Sequence, residues 1–176
     1  MRVTCLGDSF TEGFLVENNN YTRFLQEAGF KIVNLGINGS QTDDMLQRYE
    51  AYLMRGNVDQ CLIVFGGTND FYNGKSIDSV LANLESILNT SKAELKILLI
   101  PPLLEVEEAF PRYELINQKI NGLAERINVL DGVVILDTRK IPASYIDGIH
   151  MRASFHKGLA RQIIEILGGK VDRITK

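Results

Sequence analysis

Short apolar runs, rich in β-branched residues, recur five times along the chain, and an amphipathic stretch follows each. That alternation leaves few folds open. The runs are residues 3–6, 31–35, 60–65, 95–100 and 133–136. They are nearly continuous in apolar side chains, as strands are when both faces are covered. The stretches between them carry helix signals. Asn20 can cap one helix through Ala28, with Gly29 past its end. Thr42 can cap a second, with Asp43 and Asp44 in its first turn and Gly56 after it. Ser76 can cap a third, whose Ile77, Val80, Leu81, Leu84, Ile87 and Leu88 form an apolar stripe. Leu115, Ile116, Ile120, Leu123 and Ile127 mark a fourth. Leu159, Ile163, Ile166 and Leu167 mark the last, with a stop expected at Gly168 and Gly169.

Strands alternating with helices predict an α/β fold, a three-layer α/β/α sandwich on a five-stranded parallel sheet. The expected strand order is the flavodoxin-like 2-1-3-4-5, and residues 1–176 are expected to form a single domain. In such a sheet ligands bind outside the C-terminal strand ends, where the order reverses between strands 1 and 3.

Three polar turns fall on that edge. Strand 1 leads into Gly7-Asp8-Ser9, strand 2 into Gly36-Ile37-Asn38-Gly39-Ser40, and strand 3 into Gly66-Gly67-Thr68-Asn69-Asp70. Taken singly, such residues are what βα turns are made of. A fourth piece is Asp147-Gly148-Ile149-His150, just before the last helix. Alone it reads better as a DG turn followed by a surface histidine. A serine hydroxyl is a poor nucleophile until a base takes its proton, and histidine held by a carboxylate is the usual base. Strand 5 lies three steps from strand 1, roughly 14 Å at about 4.8 Å per step. The connection from Thr138 to Asp147 spans up to about 33 Å when extended, so one loop can deliver Asp147 and His150 to Ser9.

At these blocks the chain resembles the SGNH (GDSL) hydrolases, small single-domain esterases and acylhydrolases. GDSF resembles the first family block, NLGING the second, GGTND the third and DGIH the last, in the family's order. The resemblance implies a carboxylic ester hydrolase with Ser9 as nucleophile and Asp147 and His150 completing a triad. It implies an oxyanion hole of the Ser9 N–H, Gly39 and Asn69. One residue departs from the pattern: Met151 stands where the family often has proline. The substrates implied are acyl esters, from simple acetyl esters to lysophospholipids, thioesters and acetylated sugars, with transfer to another alcohol a variant on the same residues. Asp8 and Asp70 read as turn or capping carboxylates, and His156 as a surface or packing residue.

The competing reading is a phospho-receiver-like signalling domain, which shares this strand order. It would hold Mg²⁺ through Asp8 and Asp70, with Lys140 after strand 5. It leaves Gly39, Asn69 and His150 without a task.

Composition narrows partners. A net charge of −3 carries no basic footprint for nucleic acid. No apolar run reaches the ~18 residues of a membrane span, and no signal peptide precedes the first strand, so the expected address is cytoplasmic. Cys5 and Cys61 sit inside apolar runs and are expected to be free thiols. Neither a metal nor a cofactor is expected. Residues 101–111 form the one strand-end connection long enough for a wall or lid. It carries Leu103, Leu104, Val106 and Phe110, interrupted by Glu105, Glu107 and Glu108. Phe71 and Tyr72 either narrow the crevice or pack against a helix.

Overall fold

A computed structural model describes residues 1–107, 110–127 and 130–174, with the backbone course alone for 170–174. Strands β1 (Arg2–Gly7), β2 (Lys31–Gly36), β3 (Cys61–Phe65), β4 (Leu95–Ile100) and β5 (Val134–Asp137) pair in parallel, in the order β2-β1-β3-β4-β5. The helices are α1 (Ser9–Glu12), α2 (Tyr21–Glu27), α3 (Thr42–Met54), α4 (Thr68–Tyr72), α5 (Ile77–Thr90), α6 (Arg112–Ile127) and α7 (Ala153–Ile174). Single-turn 3-10 helices, Glu17–Asn19 and Thr138–Lys140, complete the regular structure.

The period of two along each strand divides the core. Leu6, Leu62, Val64, Leu98 and Ile100 face Met45 and Tyr49 of α3, the apolar stripe of α5, and Ile116, Ile120 and Leu123 of α6. Val3, Cys5, Ile63, Phe65, Ile97 and Leu99 face the other way, onto Tyr21 and Leu25 of α2 and Phe155, Leu159 and Ile163 of α7. Both cysteines are free and buried, and burial pushes the Cys61 thiol up to about 12. Among the described residues no helix is long and apolar enough to cross a membrane.

Four local expectations change. Gln41, not Thr42, is the N-cap of α3: its N–H donates to Asp44 Oδ2 at 2.9 Å. Thr42 is drawn into the helix because its N–H and hydroxyl both donate to the buried carboxylate of Asp70. Helix α7 runs past Gly168 and Gly169 to Ile174, because neither glycine takes the left-handed conformation that ends a helix. Leu115 is 61 % exposed and lies off the apolar face of α6. The single-turn helices α1 and α4 have no sequence counterpart, since four or five residues cannot display a helical period.

Candidate active site

The site grows from the turn after β1. Asp8 caps α1, its side chain accepting the Phe10 N–H at 3.1 Å, and Gly13 ends that helix at φ 97°. Confining the helix to one turn sets Ser9 at its first position, 5 % exposed. Burial pushes the Asp8 carboxyl up to about 7, against the pull of the Phe10 N–H. Helix α1 lies directly on β2: a Cβ at Gly36 would stand 2.2 Å from the Glu12 nitrogen.

The last loop approaches from the far side of the sheet. A bridge between Tyr145 and Met151 closes it, with Ile146 N–H donating to the His150 carbonyl at 2.8 Å and Arg152 N–H to that of Ser144 at 2.7 Å. Met151, in the place of the family's proline, is 1 % exposed and anchors this bridge. Inside the loop Asp147 Oδ1 accepts the N–H groups of Ile149 and His150, at 3.0 and 2.7 Å. Its Oδ2 lies 2.7 Å from His150 Nδ1, and His150 Nε2 lies 3.1 Å from Ser9 Oγ. The structure therefore brings Ser9, His150 and Asp147 into one hydrogen-bonded chain. Partial burial works to raise the Asp147 pKa, but the His150 and Ile149 N–H groups and the His150 ring outweigh it and hold the carboxyl below its ordinary range.

Gly39 and Asn69 flank the serine from β2 and β3. Gly39 takes φ 77°, a left-handed conformation that suits glycine. Asn69 Nδ2 donates one hydrogen to the Ser40 carbonyl at 3.0 Å, which leaves the second N–H of that amide for a ligand. Among the described residues, the Ser9 and Gly39 N–H groups donate to no protein acceptor.

Three supports escaped the sequence reading. Arg48 of α3 donates to the carbonyls of Leu35 and Gly7 and to Ser40 Oγ, at 3.0, 2.9 and 3.2 Å. One guanidinium thus ties the ends of β1 and β2 to the Gly39 loop. Glu12 accepts the Asn38 N–H at 2.8 Å and holds that loop from the serine side. Asn34 and Asn20 both donate to the Thr11 carbonyl, at 2.7 and 2.9 Å. Of these residues only Asn34 leaves a signal in sequence, a polar side chain within the apolar run of β2.

The 101–111 segment is a wall rather than a free lid over the residues described. Asn117 clamps both backbone groups of Leu104, Tyr145 Oη donates to the Leu103 carbonyl, and Glu105 N–H donates to the Gly148 carbonyl. It braces the loop that carries Asp147 and His150. Glu108 lies outside the described residues. Phe71 is buried in the core, while Tyr72 stays on the rim with the Arg112 guanidinium 4.3 Å above its ring.

His156 is a packing residue, not a surface one, at 2 % exposure. It stacks on Tyr21 and accepts that residue's N–H at 3.4 Å. Burial pushes its imidazole down to about 4, against about 6.5 in an unfolded chain. On acidification the unfolded chain takes up this proton first. The stability contributed by the neutral ring is therefore lost as pH falls from about 6.5 to about 4, by about 3 kcal/mol in all. Urea titrations across that range should show the wild-type protein losing this much relative to His156→Gln. Parallel pH profiles would contradict a buried neutral ring.

The carboxylates that a receiver-like site would use are already engaged. Asp70 accepts the N–H and hydroxyl of Thr42 with Lys75 Nζ 3.7 Å away, and Asp8 faces the N-terminus of its own helix.

The fold has close counterparts. The M. smegmatis aryl esterase superposes with a TM-score of 0.82 at 19 % identity, covering 96 % of this chain and 98 % of that one. A carbohydrate acetylesterase family member from Sinorhizobium meliloti gives 0.76 at 17 %, with 95 % and 99 % covered. A member of the lipolytic G-D-S-L family from Veillonella parvula gives 0.75 at 17 %, with 94 % and 97 % covered. No curated protein matches the sequence. The family model for GDSL-like lipases and acylhydrolases matches residues 5–157, which takes in all four polar blocks and sets the receiver-like reading aside. The chain belongs to the GDSL-like lipase/acylhydrolase family and is a carboxylic ester hydrolase of that family.

Proposed function

We propose that residues 1–176 act as one domain that hydrolyses small acyl esters through Ser9, His150 and Asp147. The observation that carries this reading is the run of contacts from Asp147 Oδ2 through His150 to Ser9 Oγ, 2.7 and 3.1 Å long. The Ser9 proton passes to His150 Nε2 as Oγ bonds to the acyl carbon. The imidazolium, steadied by Asp147, then gives that proton to the departing alcohol oxygen as the acyl–oxygen bond breaks. Water repeats the sequence on the acyl-enzyme: its proton goes to Nε2, its oxygen to the acyl carbon, and Ser9 Oγ leaves with the proton. Negative charge forms on the carbonyl oxygen in both halves. The Ser9 and Gly39 N–H groups and the second N–H of the Asn69 amide are the donors for it. Nothing in these steps calls for a metal or a cofactor. A cytoplasmic setting belongs to the same reading, supported by the pair of free, buried thiols.

Asn69→Ala tests the electrostatic half. One oxyanion donor is worth roughly 3–4 kcal/mol in the transition state and far less on a neutral carbonyl, so kcat should fall by about 10²–10³ with KM nearly unchanged. A change confined to KM would make Asn69 a ground-state contact. Because Asn69 also holds the Ser40 carbonyl, Asn69→Asp, which keeps the shape but offers no N–H, should be at least as slow.

A further inference from the structure

Between α1 and α2 the chain does something costly. Leu15 and Glu17 take left-handed backbone conformations, φ 65° and 48°, which side chains other than glycine and asparagine seldom adopt. Leu15 is nevertheless 49 % exposed, so core packing does not explain why a leucine stands there. Val16 is buried, and the N–H groups of Val16 and Glu17 both donate to the Gly13 carbonyl, at 3.1 and 2.8 Å. What the strain achieves is placement. Phe14, 39 % exposed, meets the His150 ring edge-on with centroids 5.0 Å apart. Leu15 and Val16, together with Glu17 and Asn19, then line a cavity of about 410 Å³ that Ile146, Arg152 and Ala153 also line.

The reaction proposed above fixes which part of the substrate meets this surface. The departing oxygen must lie within hydrogen-bond reach of His150 Nε2 to take its proton. Whatever that oxygen carries runs out past the imidazole, where Phe14 stands on one side and Ile146 belongs to the same loop. We infer that Phe14, Leu15 and Ile146 form the subsite for the alcohol part of the ester, and that it selects aromatic or branched alcohols over small ones. The cavity beyond adds Val16 and Ala153 to the apolar side, and Glu17, Asn19 and Arg152, whose Nε donates to the Tyr145 carbonyl at 3.0 Å, to the polar side.

This inference rests on the ester-hydrolase reading, and the experiment separates the two. Hydrolysis of 2-phenylethyl acetate and ethyl acetate is measured for the wild type, Phe14→Ser and Leu15→Gly. The two esters release alcohols of similar acidity, so their ratio reports on the subsite rather than on leaving-group chemistry. The wild type should favour 2-phenylethyl over ethyl acetate in kcat/KM by about tenfold or more, a factor set by burying a few carbons. Each variant should bring the ratio towards one, chiefly through KM. Leu15→Gly should also melt about 2 °C higher, because glycine adopts φ 65° freely. A leucine kept for packing alone would give the opposite, a lower melting point with the ratio intact. A wild-type ratio near one, or a ratio unmoved by both variants, overturns the subsite while leaving the hydrolase reading in place. No turnover of either ester, with no labelling of Ser9 by an organophosphonate, overturns both.

Discussion

His150→Ala should lower kcat/KM for p-nitrophenyl acetate by roughly 10⁴–10⁶-fold, while His156→Ala should leave turnover within the same order of magnitude. A loss of that size corresponds to about 5–8 kcal/mol of transition-state stabilisation. It is large because in the proposed mechanism one ring serves twice, taking the serine proton and giving it to the leaving group, and among the described residues no other base hydrogen-bonds Ser9 Oγ. His156 lies among Phe10, Tyr21 and Phe155. Its removal opens a gap in the core and should cost about 2–4 kcal/mol of stability instead. Steady-state kinetics with urea denaturation on both variants separates the two effects. An inactive but stable His156→Ala, or an active His150→Ala, would reverse the roles.

Ser9→Ala should be slower than the wild type by a comparable factor, since the members of such a relay act as a unit and their losses do not add. The fold should persist. The variant gives up one hydroxyl contact, that to His150, worth about 1 kcal/mol. What activity remains should be the modest rate that donors at the carbonyl oxygen supply without a nucleophile. Combining Ser9→Ala with His150→Ala should then cost little more than either alone. Strictly additive losses would show that the two side chains do not work on the same atoms.

The strand pattern was legible because burial on both faces writes near-continuous apolar runs, and β4 matches its run from Leu95 to Ile100. The four polar blocks were legible because chemistry at strand ends needs particular residue types, and Ser9, Gly39, Asn69, Asp147 and His150 do gather at one edge of the sheet. What could not be read was how these blocks are held. Arg48 and Glu12 act on backbone atoms far off in sequence, Gly7 and Asn38, and a contact with a carbonyl or an N–H leaves no trace in the partner's identity. Capping at Thr42 failed for a related reason. A buried Asp70 competes for its hydroxyl, and burial of Asp70 follows from tertiary packing alone. Likewise the strain at Leu15 exists only in the folded backbone.

A serine-directed fluorophosphonate reports most directly on whether Ser9 is the nucleophile. The reagent reacts with a hydroxyl only where a base activates it and donors stabilise the phosphoryl oxygen. Intact-mass and peptide spectrometry after incubation should find one adduct per chain, on the peptide that contains Gly7-Asp8-Ser9, and none in Ser9→Ala or in heat-unfolded protein. An adduct on another residue, or folded and ester-hydrolysing protein that Ser9→Ala leaves active and that takes up no label at Ser9, would contradict it.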